Sequence, residues 1–413
     1  MFWLLSVSTA LAAPNNQNAK DAIKVALHNA AGKPVDIDLT DADRLKVVRL
    51  GLSGHGITNL ESLTNLPNLK VLWVHNNRLR NISPVSKMKN LEALYLDHNQ
   101  IDDLTPLANC TKLRTLYLDN NRPKELLPLA NLKHLETLSL WHSRLLSIQG
   151  IEGLVKIRRL VLYANRLDNI EPLKNLRQIQ HLDLAQNLIV DIDVLKTMNK
   201  LQVLHLNQNK IVDLKALSEM HDLRVLNLQH NQIVDLKPLA GLTKLRELHL
   251  NNNQVTDLKP LAGMNELRAL HLGGNQVTDL TPLMGLVSLR ELSIIGSANL
   301  RFPDVAKLQE ALPKTEIQHN ATQTEIQFIN KTKGPIVVRW VDFDGELQTY
   351  QDNLLPEEGY SQHTYIGHQW VLYDKAGKEL GRTFATGKIT AWEIFSEGIR
   401  AAKARNLPTK KRD

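Results

Sequence analysis

From Val47 onward, aliphatic residues return with a fixed beat. Leu223–Lys244 reads LRVLNLQHNQIVDLKPLAGLTK, and Leu245–Glu266 restates it as LRELHLNNNQVTDLKPLAGMNE. The first position of this unit recurs at 47, 69, 91, 113, 135, 157, 179, 201, 223, 245, 267 and 289, so 12 units of 22 residues hold one register. Within a unit, Leu226 and Leu228 alternate, which predicts a short strand with one inward face. Asn231 follows, and its amide can bond backbone groups that a turn leaves unpaired. Ile233, Leu236, Leu239 and Leu242 return to the same core. Pro238 breaks that return segment, so short 3₁₀ turns are expected there. One unit cannot bury its own apolar face, but stacked units can, with their strands in one parallel sheet.

The Asn position holds Asn at 77, 99, 121, 165, 187, 209, 231, 253 and 275, and becomes His55, Ser143 and Ser297 elsewhere. A period of this length written LxxLxLxxNxI marks a leucine-rich repeat. It resembles the 22-residue class of bacterial internalin-like proteins over about two-thirds of the chain. The fold expected is an α/β repeat solenoid, with a parallel concave sheet and 3₁₀ turns on the convex side. A small all-β antiparallel sandwich follows it.

The ends of the solenoid need covers. Asp21–Leu45 carries Ala22, Ile23, Ala26, Leu27 and Ala30 at helical spacing, and Gly32-Lys33-Pro34 stops that helix. The segment resembles the helical cap that precedes internalin repeats. Ala311–Ile317 is expected to close the other end. Met1–Ala13 reads MFWLLSVSTALAA, with a short apolar run ending in a plausible cleavage site. The resulting division is a signal segment 1–12, a cap 13–46, a solenoid 47–320, a sandwich 321–388, and a short helix with a basic tail 389–413. A secreted or periplasmic protein is expected.

Third, fifth and seventh positions of each unit flank the core leucines and point outward. Between Val47 and Ser297 there are five aromatic residues, Trp73, Tyr95, Tyr117, Trp141 and Tyr163, and all stand at fifth or seventh positions. None serves as core, so they are read as an exposed partner-binding patch on the concave face. His205, His249 and His271 share one register position but lack an obvious third ligand, and are read as surface histidines rather than a metal site. Cys110, the one cysteine, sits in the core slot of Leu242. Net charge is +7, yet Lys and Arg are interleaved with Asp and form no stripe with stacking aromatics, so no nucleic-acid partner is expected. No segment is long and apolar enough to span a membrane. No metal or cofactor is expected.

At about Ala321 the period ends and short alternating runs begin, with Asp344-Gly345 marking a hairpin. Two stretches, IQFINKTKGPIVVRWVDFDGELQTY and HTYIGHQWVLYDKAGKELG, resemble the β domain of the von Hippel–Lindau family through their FDGExQxY and HxYxGHxW motifs. That resemblance implies a pocket for 4-hydroxyproline in an extended peptide, built here from Trp340, Tyr350, Thr364, His368 and Trp370, with His363 and Tyr365 lining the groove. The family has serine where Thr364 stands. Its helical domain is missing, so no recruitment of elongin or a ubiquitin ligase is implied. Trp and Tyr can enclose a pyrrolidine ring, and a hydroxyl and an imidazole can pair the ring's OH, which plain proline would leave unpaired. Ala391–Arg405 is expected to form one helix.

The expected function is a non-catalytic recognition protein with two surfaces, binding a protein or an extended peptide that carries hydroxyproline at the second site. An internalin-like adhesin with the sandwich as a spacer is the alternative. A hydrolase using His363 or His368 is a minor one, for want of a nucleophile–base–acid set.

Overall fold

A computed structural model describes residues 16–297, 300, 302–319, 323–341, 346–365, 368–385 and 390–402. The signal segment 1–12, the Asp344-Gly345 turn and the basic tail Lys403–Asp413 lie outside the described residues. The chain forms two compact units, Met1–Leu248 and His249–Asp413.

The N-terminal cap is helical. In α1 (Asn16–Ala31), Ala19, Ile23, Leu27 and Ala31 recur every four residues, and all four are buried. A short α2 (Asp41–Leu45) starts on a capping box, with Thr40 and Asp43 each satisfying the other's backbone. Lys33 and Lys46 add charged bonds to Asp43 at 2.6 and 3.1 Å, and with Thr40 they hold its carboxyl far below the usual range.

Strands β1 (Arg49–Gly51) to β12 (Glu291–Ser293) recur every 22 residues, and β13 (Glu316–Gln318) joins them in one parallel sheet in chain order. Register is constant: Leu50 pairs with Leu72, and Leu270 with Leu292. The leucine at the centre of each of the strands β1 to β12 is buried, and its two neighbours are mostly half-buried. Proline sits at the start of many return segments, such as the 3₁₀ turn Lys237–Leu239, where its missing N–H costs nothing. In the fifth unit Gly150 takes the place of that proline at φ +106°, and a Cβ there would lie 2.6 Å from the Leu126 carbonyl carbon. Cys110 is fully buried, and burial pushes its thiol up to about 11.

The Asn turn is a hydrogen-bond device. Asn209 Nδ2 donates to the carbonyls of Leu184 and Leu206, both at 3.0 Å, while its Oδ1 accepts from Ile189 N–H at 3.0 Å. One amide thus ties its own turn to the preceding unit. The residue before it holds φ between 52° and 57° from Asn76 to Asn252, a left-handed position that these bonds over-determine. Ser143 spares only part of this, with its Oγ 3.5 Å from Leu118 O.

At the far end α3 (Phe302–Ala311) precedes β13, and Leu308 and Leu312 are buried beneath them. The repeat pattern alone does not foresee this helix.

The C-terminal strands are β14 (Gln323–Asn330), β15 (Ile336–Val341), β16 (Leu347–Leu354), β17 (Gly359–Tyr365), β18 (Gln369–Asp374), β19 (Glu379–Phe384), β20 (Thr390–Phe395) and β21 (Gly398–Ala402). They make two four-stranded sheets, β17-β14-β20-β21 and β16-β15-β18-β19. Pairing is antiparallel except for β14 with β20. Ile326, Phe328, Ile336, Val338, Trp370, Leu372 and Ile394 fill the core.

The helix expected over Ala391–Arg405 is not formed. Its described part is the hairpin β20–β21, in which Ala391 and Ile394 are buried and Ala391 pairs with both Gln327 and Ala402. Alanine and arginine favour helix in isolation, but pairing onto β14 overrides that weak preference. Gly398, at φ +146°, also suits the hairpin and not a helix.

Candidate functional site

Outward residues of adjacent strands stand one above another, because the register never shifts. Trp73 and Tyr95 stack with ring centroids 5.7 Å apart and planes 15° apart; Tyr95 and Tyr117 follow at 5.2 Å and 17°. At the seventh position Trp141 meets Tyr163 at 6.2 Å. All five predicted aromatics therefore lie together on one strand face. They are half-buried rather than fully exposed, since each ring covers its neighbour.

Polar groups frame this run. Asp119 is 4% exposed; its Oδ1 accepts from Ser139 Oγ at 2.5 Å and from Trp141 N–H at 2.8 Å. Burial pushes its carboxyl up to about 6, against the lowering effect of those bonds. A chain of side chains borders it: His142 Nδ1 donates to Asn120 Oδ1 at 2.6 Å, and Asn120 Nδ2 donates to His98 Nε2 at 3.1 Å. That leaves the His98 proton on Nδ1, 3.3 Å from Asp97 Oδ2. Further along, burial pushes the Asp183 carboxyl up, and pushes His181 down to about 4. Sequence reasoning singled out none of these residues, although Asp97 and Asp119 occupy the same seventh position as Trp141. His249 and His271 do stack, at 4.4 Å and 13°. Among the described residues no group of three or more His, Cys, Asp or Glu is placed to hold a metal.

The sandwich assembles a second cluster. Trp340 on β15 lies directly opposite Trp370 on β18. Tyr350 on β16 sets its ring edge-on to both, at 6.2 and 5.2 Å. His368 lies against Trp340 at 5.0 Å, and its Nδ1 is 2.9 Å from Thr364 Oγ1. Burial lowers His368 to about 4, so it is neutral at pH 7. Thr364 and His368 are both buried, and Trp370 is 1% exposed and packs on Phe328. Trp370 therefore belongs to the core as well as to the cluster. Five of the seven expected residues come together. His363 is exposed on β17, an outermost strand of its sheet, and the Tyr365 side chain lies outside the described residues.

Comparison with known proteins accounts for both parts. Family models for leucine-rich repeats in two copies match residues 45–87, 89–131 and 221–263, and a leucine-rich repeat model matches 177–233. A model of the VHL beta domain matches 317–381. The chain thus joins segments that leucine-rich-repeat models match to one that a VHL beta domain model matches.

Among solved structures, an internalin from Listeria monocytogenes is 26% identical with a TM-score of 0.70, over 76% of this chain and 94% of that one. A leucine-rich-repeat protein of Leptospira interrogans is 24% identical with a TM-score of 0.53, over 66% and 84%. The ectodomain of a plant receptor kinase from Arabidopsis thaliana, solved in complex with Casparian strip integrity factor 2, is 23% identical with a TM-score of 0.57, over 68% and 37%. The last two show the fold alone. No curated protein matches the chain. No helix among the described residues is long and apolar enough to cross a membrane.

Proposed function

We propose that the chain is a secreted, non-catalytic recognition protein that takes a protein partner on the strand face of its repeats. The observation that carries this is the aromatic run. Every core position of the repeats is aliphatic, sulfur-bearing or small, while every aromatic ring stands outside. Exposed or half-exposed Trp and Tyr are typical interface anchors. The likeness to an internalin supports the reading, and a plant relative in fold was solved with a ligand in complex. Capture of a partner by the intact protein, repeated with Tyr95→Ala/Trp141→Ala, tests it; equal capture by both removes the patch.

The sandwich is the second surface in this reading. Trp340, Tyr350, Thr364, His368 and Trp370 gather the ring walls and the hydroxyl–imidazole pair that a hydroxyproline needs, beside an outermost strand where an extended peptide can add its main chain. In the resting state Thr364 and His368 bond each other, so a ligand must insert its OH between them. A peptide with 4-hydroxyproline should bind about tenfold or more tighter than the same peptide with proline. Equal binding of both means the fold was kept without its ligand, and leaves the sandwich as a spacer.

A further inference from the structure

We propose that the strand face holds a receptor for an arginine side chain of the partner, formed by Asp97 and Asp119 between the rings of Tyr95, Tyr117 and Trp141. The proposal rests on the reading that this face receives a partner, and names what that partner brings.

Two carboxylates occupy the seventh position of adjacent units, with strands about 4.8 Å apart. Each keeps one oxygen unengaged. Asp119 Oδ1 takes both of its bonds, from Ser139 and Trp141, and Oδ2 accepts none among the described residues. Asp97 Oδ2 faces His98, and its Oδ1 likewise accepts none. The Asp119 side chain is 4% exposed, and this burial raises its carboxyl even though Oδ1 accepts two hydrogen bonds.

The walls are aromatic. Tyr95 and Tyr117 stand two residues before the acids, on the same side of their strands. Trp141, from the fifth unit, reaches back to sit edge-on to His98 of the third at 5.7 Å, and so lies across the fourth unit where Asp119 is. Two acceptors a strand apart, beside ring faces and edges, match a planar guanidinium, which forks onto paired oxygens and stacks on rings. A lysine offers a point charge and uses only half of this. Other titratable or charged groups near the site are His98, beside Asp97, and Arg159, whose charge acts on Tyr117.

The test uses the full chain labelled with ¹⁵N-tryptophan, titrated with N-acetyl-arginine amide and with the citrulline analogue, its neutral isostere. The Trp141 indole signal, assigned from Trp141→Phe, should shift saturably with the arginine compound and about tenfold more weakly with citrulline. Asp97→Asn and Asp119→Asn should each weaken the arginine response several-fold, with the thermal midpoint showing that the variants fold. If Asp119→Asn fails to fold, Asp97→Asn, at a half-buried position, carries the test alone. The response should also fade as pH falls through about 6, where Asp119 takes up its proton. Equal responses to the two amides, or an undiminished response in folded Asp97→Asn, overturns the proposal. Such a failure leaves the aromatic face standing as a partner surface, which the Tyr95→Ala/Trp141→Ala capture decides separately.

Discussion

The repeats and the sandwich both gather aromatic rings, but they hold them in opposite ways. In the repeats leucine, isoleucine and valine, with a few methionines, alanines and Cys110, do the packing, and Trp73, Tyr95, Tyr117, Trp141 and Tyr163 stand on the outward face. In the sandwich one residue serves both ends: Trp370 is core to Phe328 and wall to Tyr350. A solenoid separates stability from recognition because its core is periodic and its outer positions are free. A small sandwich has too little interior to keep them apart.

Truncating one tryptophan in each region breaks or upholds that contrast most directly. Trp370→Ala should destabilise the sandwich by about 3–5 kcal/mol, the usual result of emptying a buried aromatic site. Trp141→Ala should cost within about 1 kcal/mol, since it leaves the leucine core intact. Chemical denaturation of each variant checks both, and equal losses would erase the distinction.

Acidity probes the same contrast at His368. Its ordinary value is 6.5 and burial takes it to about 4 in the folded chain. The unfolded chain therefore binds the extra proton first, and stability falls as pH drops from 6.5 to 4, by up to about 3 kcal/mol. Asp119 runs the other way: raised from 3.8 to about 6, it weakens the fold as pH rises through that window. Comparing wild type with His368→Asn isolates the first effect, and the variant should lose the acid-side decline of the sandwich transition.

Within the repeats, Asn209→Ala should cost about 2 kcal/mol, because Leu184 O, Leu206 O and Ile189 N–H each lose a buried partner. The same substitution in any of the Asn turns should read alike by thermal denaturation, whereas the strand-face aromatics should not. The smallest structural effect belongs to Tyr95→Ala/Trp141→Ala. It should leave the melting profile nearly unchanged while removing about 2 kcal/mol or more of partner affinity, measured by titration calorimetry.

How much of this was legible depends on the residue. The 22-residue period locates the strands, the Asn turns and the outward register, because repetition makes every position its own control. The five aromatics followed from that count alone. Asp119 did not: its burial and its bonds to Ser139 and Trp141 of the next unit depend on side-chain directions that no period encodes. In the sandwich, the convergence of Trp340, Tyr350, Thr364, His368 and Trp370 was legible through two motifs and not through periodicity. The strands β20 and β21 were missed because alanine-rich segments favour helix locally, and their pairing with β14 lies more than sixty residues away in the chain.

The strand face carries the proposed recognition role, and side-chain footprinting of that face tests it most directly. Hydroxyl-radical labelling of the intact protein, free and with its captured partner, reads the solvent access of each ring. Trp73, Tyr95, Tyr117, Trp141 and Tyr163 should lose labelling together on binding, while Leu146 and Val287, which are 70% and 72% exposed, keep theirs. Unchanged labelling of the five rings in a formed complex would contradict the account.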